Sequence, residues 1–209
     1  MVVEVGPRDG LQNEAAMISA ADRIGFIDRL SAAGLPVIEA GAFVSPKWVP
    51  QMADTAQVFA GISRGDNIRY TALVPNLEGL ERAHASGVTE VGIIAAASDT
   101  FSLRNINQDV DGSLDTYRAV CARASELNIR VRGYVSTAFG CPFEGEIAPA
   151  RVAAVAEALM NMGTFEVAIS DTIGIAHPGR VRGVPDIRPR DADGRAGDRR
   201  GYGGGDRAM

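Results

Sequence analysis

The sequence is poor in several residue types, and each shortage removes a class of protein. Lys47 is the only lysine among 21 basic residues, and the formal net charge is −5. A chain with that balance has no basic footprint for nucleic acid. There are two cysteines, Cys121 and Cys141, with no C-x-x-C between them. That suits a reducing, cytoplasmic setting better than a disulfide framework. There are two histidines, His84 and His177, and no H-x-H. No two-histidine metal pair can therefore arise from neighbouring in-facing strand positions, and no histidine stands near a serine or cysteine in a triad motif. No apolar run approaches the roughly 20 residues that span a bilayer, so no membrane partner is expected. The start, Met1-Val2-Val3-Glu4, has neither the basic nor the apolar region of a signal peptide.

What is present is an alternation. Short β-branched runs at 2–5, 37–39, 68–74, 90–95, 129–136 and 165–169 read as strands. Helical patterns at 19–33, 46–62, 77–86, 113–127 and 149–162 separate them, several followed by glycine, as at Gly34, Gly87 and Gly163. Repeating β-then-α units imply a parallel sheet with right-handed crossovers. A doubly wound sheet and a β/α barrel both fit. The segment Gly6-Pro7-Arg8-Asp9-Gly10 has the wrong spacing for a dinucleotide fingerprint. Polar residues instead stand at the C-terminal ends of most strands: Arg8 and Asp9, Glu39, Asn76, Ser136 and Thr137, Ser170 and Asp171. A barrel builds its active site there, so the expected fold is α/β, a (β/α)8 TIM barrel. With six strands read from the sequence, it is incomplete, at about six of eight units.

The strand ends carry the chemistry. A carboxylate at Asp9 is a hard oxygen ligand for Mg2+ or Mn2+. The neighbouring Arg8 guanidinium suits an enolate or carboxylate oxygen on which charge develops. The bland alternative is a surface Arg-Asp pair in a turn. Glu39 ends an apolar run and is placed to orient substrate, or else to make a rim salt bridge. Asp171 is placed to bond substrate or Arg8, with helix capping as the competing role. His84 reads as a helix residue and His177 as a loop residue near the mouth. Cys141, in Gly140-Cys141-Pro142-Phe143-Glu144-Gly145, and Cys121, in helical spacing, read as packing residues.

At this point the strings themselves resemble a known family. Val3 to Glu14, Phe43 to Met52, Asn105-Ile106-Asn107, Val131 to Ser136, Cys141 to Gly145 and Ser170 to Gly174 are similar, in order, to segments of 3-hydroxy-3-methylglutaryl-CoA lyases. The resemblance runs from about residue 2 to 179 and rests on long, specific strings. It implies a metal-dependent TIM barrel that cleaves 3-hydroxy-3-methylglutaryl-CoA, an acyl-CoA substrate, to acetyl-CoA and acetoacetate. It further implies that Asp9 is a metal ligand, that Arg8 holds the substrate carbonyl and steadies the enolate, and that Gln12, Glu39 and Asp171 belong to the same mouth. Leucine breakdown or ketone-body formation is the implied setting. A lyase for a related branched 3-hydroxyglutaryl-CoA ester is the near alternative, and an inactive fragment the distant one. A homo-oligomer is compatible with the family, although no sequence feature points to one.

The sequence departs from the family in its later motifs. The family's H-x-H-D metal motif, its later catalytic cysteine in a glycine-rich loop and its metal-binding asparagine have no counterpart here, and Cys141 matches a different, earlier cysteine. Residues 1–179 are therefore expected to be a partial lyase barrel. Residues 180–209 hold eight Arg, five Asp and seven Gly but no Lys, Glu, Leu or Phe. Such a tail cannot bury a core of its own and is expected to be disordered. Arginine excess with abundant alanine and glycine points to a GC-rich gene, in which out-of-frame reading yields this composition. The tail is thus expected to be a frameshift product. Reading the nucleotide sequence past codon 175 in three frames should uncover an H-x-H-D strand out of frame; an intact frame that encodes only this tail would sink the idea.

Overall fold

The computed structural model describes residues 1–184 and 187. Five parallel strands form one sheet: β1 Val37–Ala42, β2 Arg69–Leu73, β3 Glu90–Ala96, β4 Arg130–Ser136 and β5 Glu166–Ile169. Their order in the sheet is their order in the chain. A doubly wound sheet reverses direction at a switch point, whereas a barrel wall does not, so this order selects the barrel alternative. Seven helices accompany the strands: α1 Ala20–Ala32, α2 Thr55–Gly61, α3 Leu77–Ala85, α4 Asp99–Ile106, α5 Val110–Glu126, α6 Pro149–Asn161 and α7 Pro178–Gly183.

Local chemistry starts and stops these elements. Ser19 caps α1 by accepting from the Asp22 N–H at 3.1 Å, and Gly34 follows the helix with φ of 81°. Asn76 caps α3 through the Gly79 N–H at 2.9 Å, and Asp109 caps α5 through the Gly112 N–H at 2.8 Å. All six residues of β1 are buried, as suits a strand covered on both faces. Gly79 is required by close approach: a Cβ there would lie 2.7 Å from the Phe43 carbonyl oxygen. Arg23 is 1% exposed and ties α1 to the segment before α2 through Asp54 and the Gln51 carbonyl.

Several expectations are corrected. The strand read at 2–5 is one parallel bridge, Glu4 to Ile38, closed by Glu4 N to Val37 O at 2.9 Å and Glu39 N to Glu4 O at 2.8 Å. Pro7, which has no N–H, and the five-residue π-type turn Gly6–Gly10 divert the chain before a ladder can extend. The count is therefore five strands and a bridge, not six strands. The helix read at 46–62 is a 3-10 turn, Pro50–Met52, followed by the short α2. Pro50 holds Val49 out of the helical region, at φ −132° and ψ 79°. Helix α4 was not expected. It starts at the Ser98 cap, which accepts from the Phe101 N–H at 3.0 Å, and stops at left-handed Asn107. Helix α7 crosses the expected 179/180 boundary. The rest of the expected tail, residues 185–186 and 188–209, lies outside the described residues.

Helix α5 buries two titratable groups. Burial pushes the Tyr117 phenol from its ordinary 10.0 up to about 12 and the Cys121 thiol from 9.0 up to about 11. Both groups hold their protons more tightly when folded, so their stabilisation is complete below pH 9 and is lost as pH rises through 11 and 12. The thermal midpoint followed by circular dichroism should fall steeply across that window. Tyr117→Phe should fall less between pH 10 and about 12; an unchanged alkaline slope would show that Tyr117 is not buried as described.

Candidate functional site

The turn after the Glu4 bridge presents the two residues that the sequence singles out. Its backbone is pinned by Val5 O, which accepts from Arg8 N at 3.1 Å and Asp9 N at 2.7 Å. The Gly6 N–H donates to Glu4 Oε1 at 2.6 Å. This turn carries Arg8 inward, to 5% exposure, and leaves Asp9 at the surface of the mouth.

Arg8 is held from two sides. Its Nε donates to Glu39 Oε1 at 2.5 Å and its Nη1 to Asp9 Oδ1 at 2.7 Å. Glu39 is fully buried on β1, at the point where the register with β2 slips between Glu39 and Gly41. Bulges of this kind re-aim side chains beside sites. The second oxygen of Glu39, Oε2, accepts from the Tyr134 hydroxyl on β4 at 3.0 Å. Burial first, then the neighbouring Glu39 charge, hold the Tyr134 phenol well above its ordinary range, so it remains a donor. Gly92 on β3 leaves the space for this pair: a Cβ there would stand 3.0 Å from the Tyr134 ring and 3.4 Å from Glu39 Oε2. The result is a chain Tyr134–Glu39–Arg8–Asp9 that spans β4, β1 and the first turn.

Arg8, Asp9, Gln12, Tyr134 and Asp171 line one cavity of about 420 Å3. Its wall is apolar at Val5, Val44, Val49, Leu73, Val74 and Ile94, and polar at Asn105, Ser136, Ser170 and Thr172. Apolar walls with a few convergent polar groups are the usual make-up of a small-molecule site. Four of the five residues singled out from sequence therefore meet at the cavity surface. Glu39, the fifth, stands behind Arg8.

Two expected roles change. Asp171 does not bond Arg8: its carboxylate accepts from the Ile175 and Ala176 N–H groups at 3.1 and 2.8 Å and shapes the loop after β5. Asn76 is absent from the cavity lining because its side chain is spent on capping α3. His84 is exposed on α3, and His177 precedes α7 without a side-chain cap bond. Cys141 is 3% exposed, with its Sγ 3.0 Å from Ser98 Oγ, in keeping with a packing role. Tyr134 was missed. The signal was there in β4, where Arg132, Tyr134 and Ser136 share one face by period two.

Among the described residues no three His, Cys, Asp or Glu side chains come together as a metal cage. Asp9 offers one carboxylate, already shared with Arg8. Glu39 and Asp171 are committed elsewhere. These residues alone do not make a site for a divalent ion.

The pair Arg8–Glu39 gives a direct test. Removing one member of a buried pair strands the other charge, at a cost of about 3–5 kcal/mol. Glu39→Ala should lower the unfolding free energy in urea by about that amount, and the double variant Arg8→Met/Glu39→Met should recover most of it. A Glu39→Ala chain as stable as the parent would rule the pair out.

The HMGL-like family model matches residues 1–184. A Pseudomonas aeruginosa protein named 3-hydroxy-3-isohexenylglutaryl-CoA/hydroxy-methylglutaryl-CoA lyase is 54% identical over 181 residues, which is 87% of this chain and 60% of that protein. The human mitochondrial hydroxymethylglutaryl-CoA lyase is 51% identical over 181 residues, 87% of this chain and 56% of that protein. A crystal structure of hydroxymethylglutaryl-CoA lyase from Pseudomonas aeruginosa superposes with a TM-score of 0.84 at 52% identity, covering 87% of this chain and 62% of that one. An Acinetobacter baumannii HMG-CoA lyase in complex with coenzyme A and 3-methylmalate gives 0.85 at 36% identity, covering 88% and 60%. The chain spans 53–60% of the length of the curated relatives it matches.

Proposed function

The chain belongs to the HMGL-like family, and from that premise we propose that it carries the Arg8 half of a carbon–carbon lyase site for 3-hydroxy-3-methylglutaryl-CoA. The observation that carries this reading is the buried Arg8 guanidinium, clamped by Glu39 and Asp9 at the edge of an apolar cavity. In the reaction the C3 hydroxyl gives up its proton and the C2–C3 bond breaks. Acetoacetate leaves, and the enolate of acetyl-CoA takes a proton at C2. Negative charge develops on the thioester oxygen, and a fixed cation in a dry pocket stabilises it without reorganisation. Arg8 is that cation. Glu39 positions Arg8, Gln12 lines the acyl pocket as a substrate-facing polar group, and Asp171 shapes the loop that walls it.

Asp9 supplies one hard-oxygen ligand toward Mg2+ or Mn2+. The described residues do not complete such a site, so the chemistry of this half is that of its guanidinium. We therefore propose that the chain alone does not turn over. An acyl-CoA partner follows from the same family reading, and self-association and the leucine or ketone-body setting stay attached to it; the cytoplasmic setting rests on the cysteine usage, since the relatives include a rat protein named cytoplasmic and a human one named mitochondrial. A second reading has its own support. The Pseudomonas aeruginosa relative is named for a 3-isohexenyl ester as well, and the valine- and leucine-lined wall gives a branched chain an apolar surface.

The test is acetoacetate release from the purified chain with Mg2+ or Mn2+. None above background is expected; rates of about 1–10³ per second, usual for enzymes, would overturn it. A fusion of this chain to the downstream segment of the Pseudomonas aeruginosa relative should break the C2–C3 bond and release acetoacetate, and Arg8→Gln in that fusion should cost at least about a hundredfold. A folded but inert fusion would remove the lyase reading.

A further inference from the structure

The interior face of the sheet holds a second group of charges beneath the Tyr134–Glu39–Arg8 chain. By strand alternation, Glu90 and Gly92 on β3 share that face, as do Arg132 and Tyr134 on β4. Glu90 is 3% exposed. Its Oε2 is paired with Arg69 at 2.7 Å and Arg130 at 3.5 Å, whereas its Oε1 is buried with no hydrogen-bond partner among the described residues. Arg132 gives Nη2 to Glu166 Oε1 at 2.9 Å, whereas its Nε and Nη1 are buried and also without a partner among the described residues. Buried polar groups are nearly always satisfied. Here an idle acceptor and idle donors of opposite charge occur together.

Glu90 and Arg132 line one narrow interior pocket with Glu39, Thr71, Gly92 and Tyr134. The pocket has no room for a water molecule, so a bridging water does not satisfy them. Glu39 is spent on Arg8 and Tyr134. The Thr71 hydroxyl can accept one N–H but cannot balance a charge. Gly92, the register partner of Arg132, carries no side chain to come between the two. Arg132 also touches the site. Its guanidinium carbon lies 5.5 Å from the centre of the Tyr134 ring, within cation–π range. The hydroxyl of that ring holds Glu39 Oε2 at 3.0 Å, and Glu39 Oε1 holds Arg8. The tilt of the ring therefore sets where Glu39, and with it Arg8, is aimed.

We propose that Arg132 closes onto Glu90 Oε1 across this pocket and, anchored between β3 and β5, is a positioning residue for Arg8 that acts through the Tyr134 ring and Glu39. Glu90 Oε1 takes one idle donor of Arg132, and the Thr71 hydroxyl takes the other. A planar guanidinium held on both sides keeps its orientation, and the ring stacked on it keeps its own. The proposal deepens the lyase reading, because it concerns the aim of the cation assigned to the enolate. Its test needs no turnover, so failure here and failure of that reading are distinguishable.

The experiment measures hydrogen exchange at the arginine Nε–H groups of the full chain by proton–nitrogen NMR. Slow exchange is expected at both Arg8 and Arg132. Glu90→Gln should speed exchange at Arg132 at least about tenfold, the scale of one charged hydrogen bond. Arg132→Leu should speed exchange at Arg8 by a similar factor, and Arg132→Lys, which keeps a cation beneath the ring, should speed it less. The backbone amide of Val120, buried in α5, is the control: an unchanged rate there shows that the loosening is local to the site. Should the variants not fold, Arg132 in the parent chain decides, with slow exchange supporting the pair and fast exchange overturning it. Arg132 indifferent to Glu90→Gln, Arg8 indifferent to Arg132→Leu, or Arg8 and Val120 loosening together would each overturn the proposal.

Discussion

A guanidinium cannot shed its charge at any pH a cell reaches, so a chain that buries one must build an environment for it. Arg8 is buried at the start of this chain, and the surrounding structure is arranged around that cost. The Glu4 bridge sets the turn against β1, the bulge at Gly41 aims Glu39 inward, and Tyr134 fixes the far oxygen of Glu39. Gly92 leaves open the volume into which that tyrosine and carboxylate fit. Each of these comes from a different β/α unit. The site is therefore a product of sheet order: only a wall that keeps chain order brings the first turn, β1 and β4 around one interior.

Isolated ion pairs of this depth are poor sources of stability, because desolvation offsets the attraction. Their value lies in fixing geometry. Arg8 is bonded through Nε and Nη1, which fixes the plane of its fork and leaves the remaining edge to the cavity. A lysine at this position would have no such plane to fix. The same reasoning separates Arg8 from Arg132. Both face the interior, yet Arg8 has its carboxylates supplied by early elements, while Arg132 has one partner on β5 and two idle donors.

How much of this was readable from sequence depends on the range of the physics involved. Helices α1, α3, α5 and α6 were legible because their apolar spacing and their caps or flanking glycines are local. The strands at β2, β3 and β4 were legible for the same reason, to within a residue or two. The 2–5 strand failed because a strand is made by its neighbours, and this one finds a partner only at Glu4. The 46–62 helix failed through underweighting Pro50, whose effect on Val49 is itself local and could have been foreseen. Helix α4 had a serine cap and an asparagine stop, but its apolar stripe is short and was overlooked. At the site, Arg8, Asp9, Glu39 and Asp171 were found by position at strand ends. What Asp171 bonds, and that Asn76 is spent on a cap, required the fold, since several acceptors lay within reach of each.

The proposed separation of family membership from catalytic competence has a physical basis. The strings that carry the resemblance are turns and strand ends, whose constraints are satisfied within one or two β/α units. They persist for as long as those units fold. Turnover depends instead on groups brought together across the whole ring, and a metal cage is the most demanding of these because it needs several ligands at fixed distances at once. A wall of five strands can hold a pre-aimed guanidinium, because Glu39 and Tyr134 lie within that wall. It cannot hold a divalent ion with Asp9 alone. On the proposed reading, recognition of a substrate's developing charge and activation of its hydroxyl are thus separable in this architecture, with the first assigned to Arg8 and the residues that clamp it.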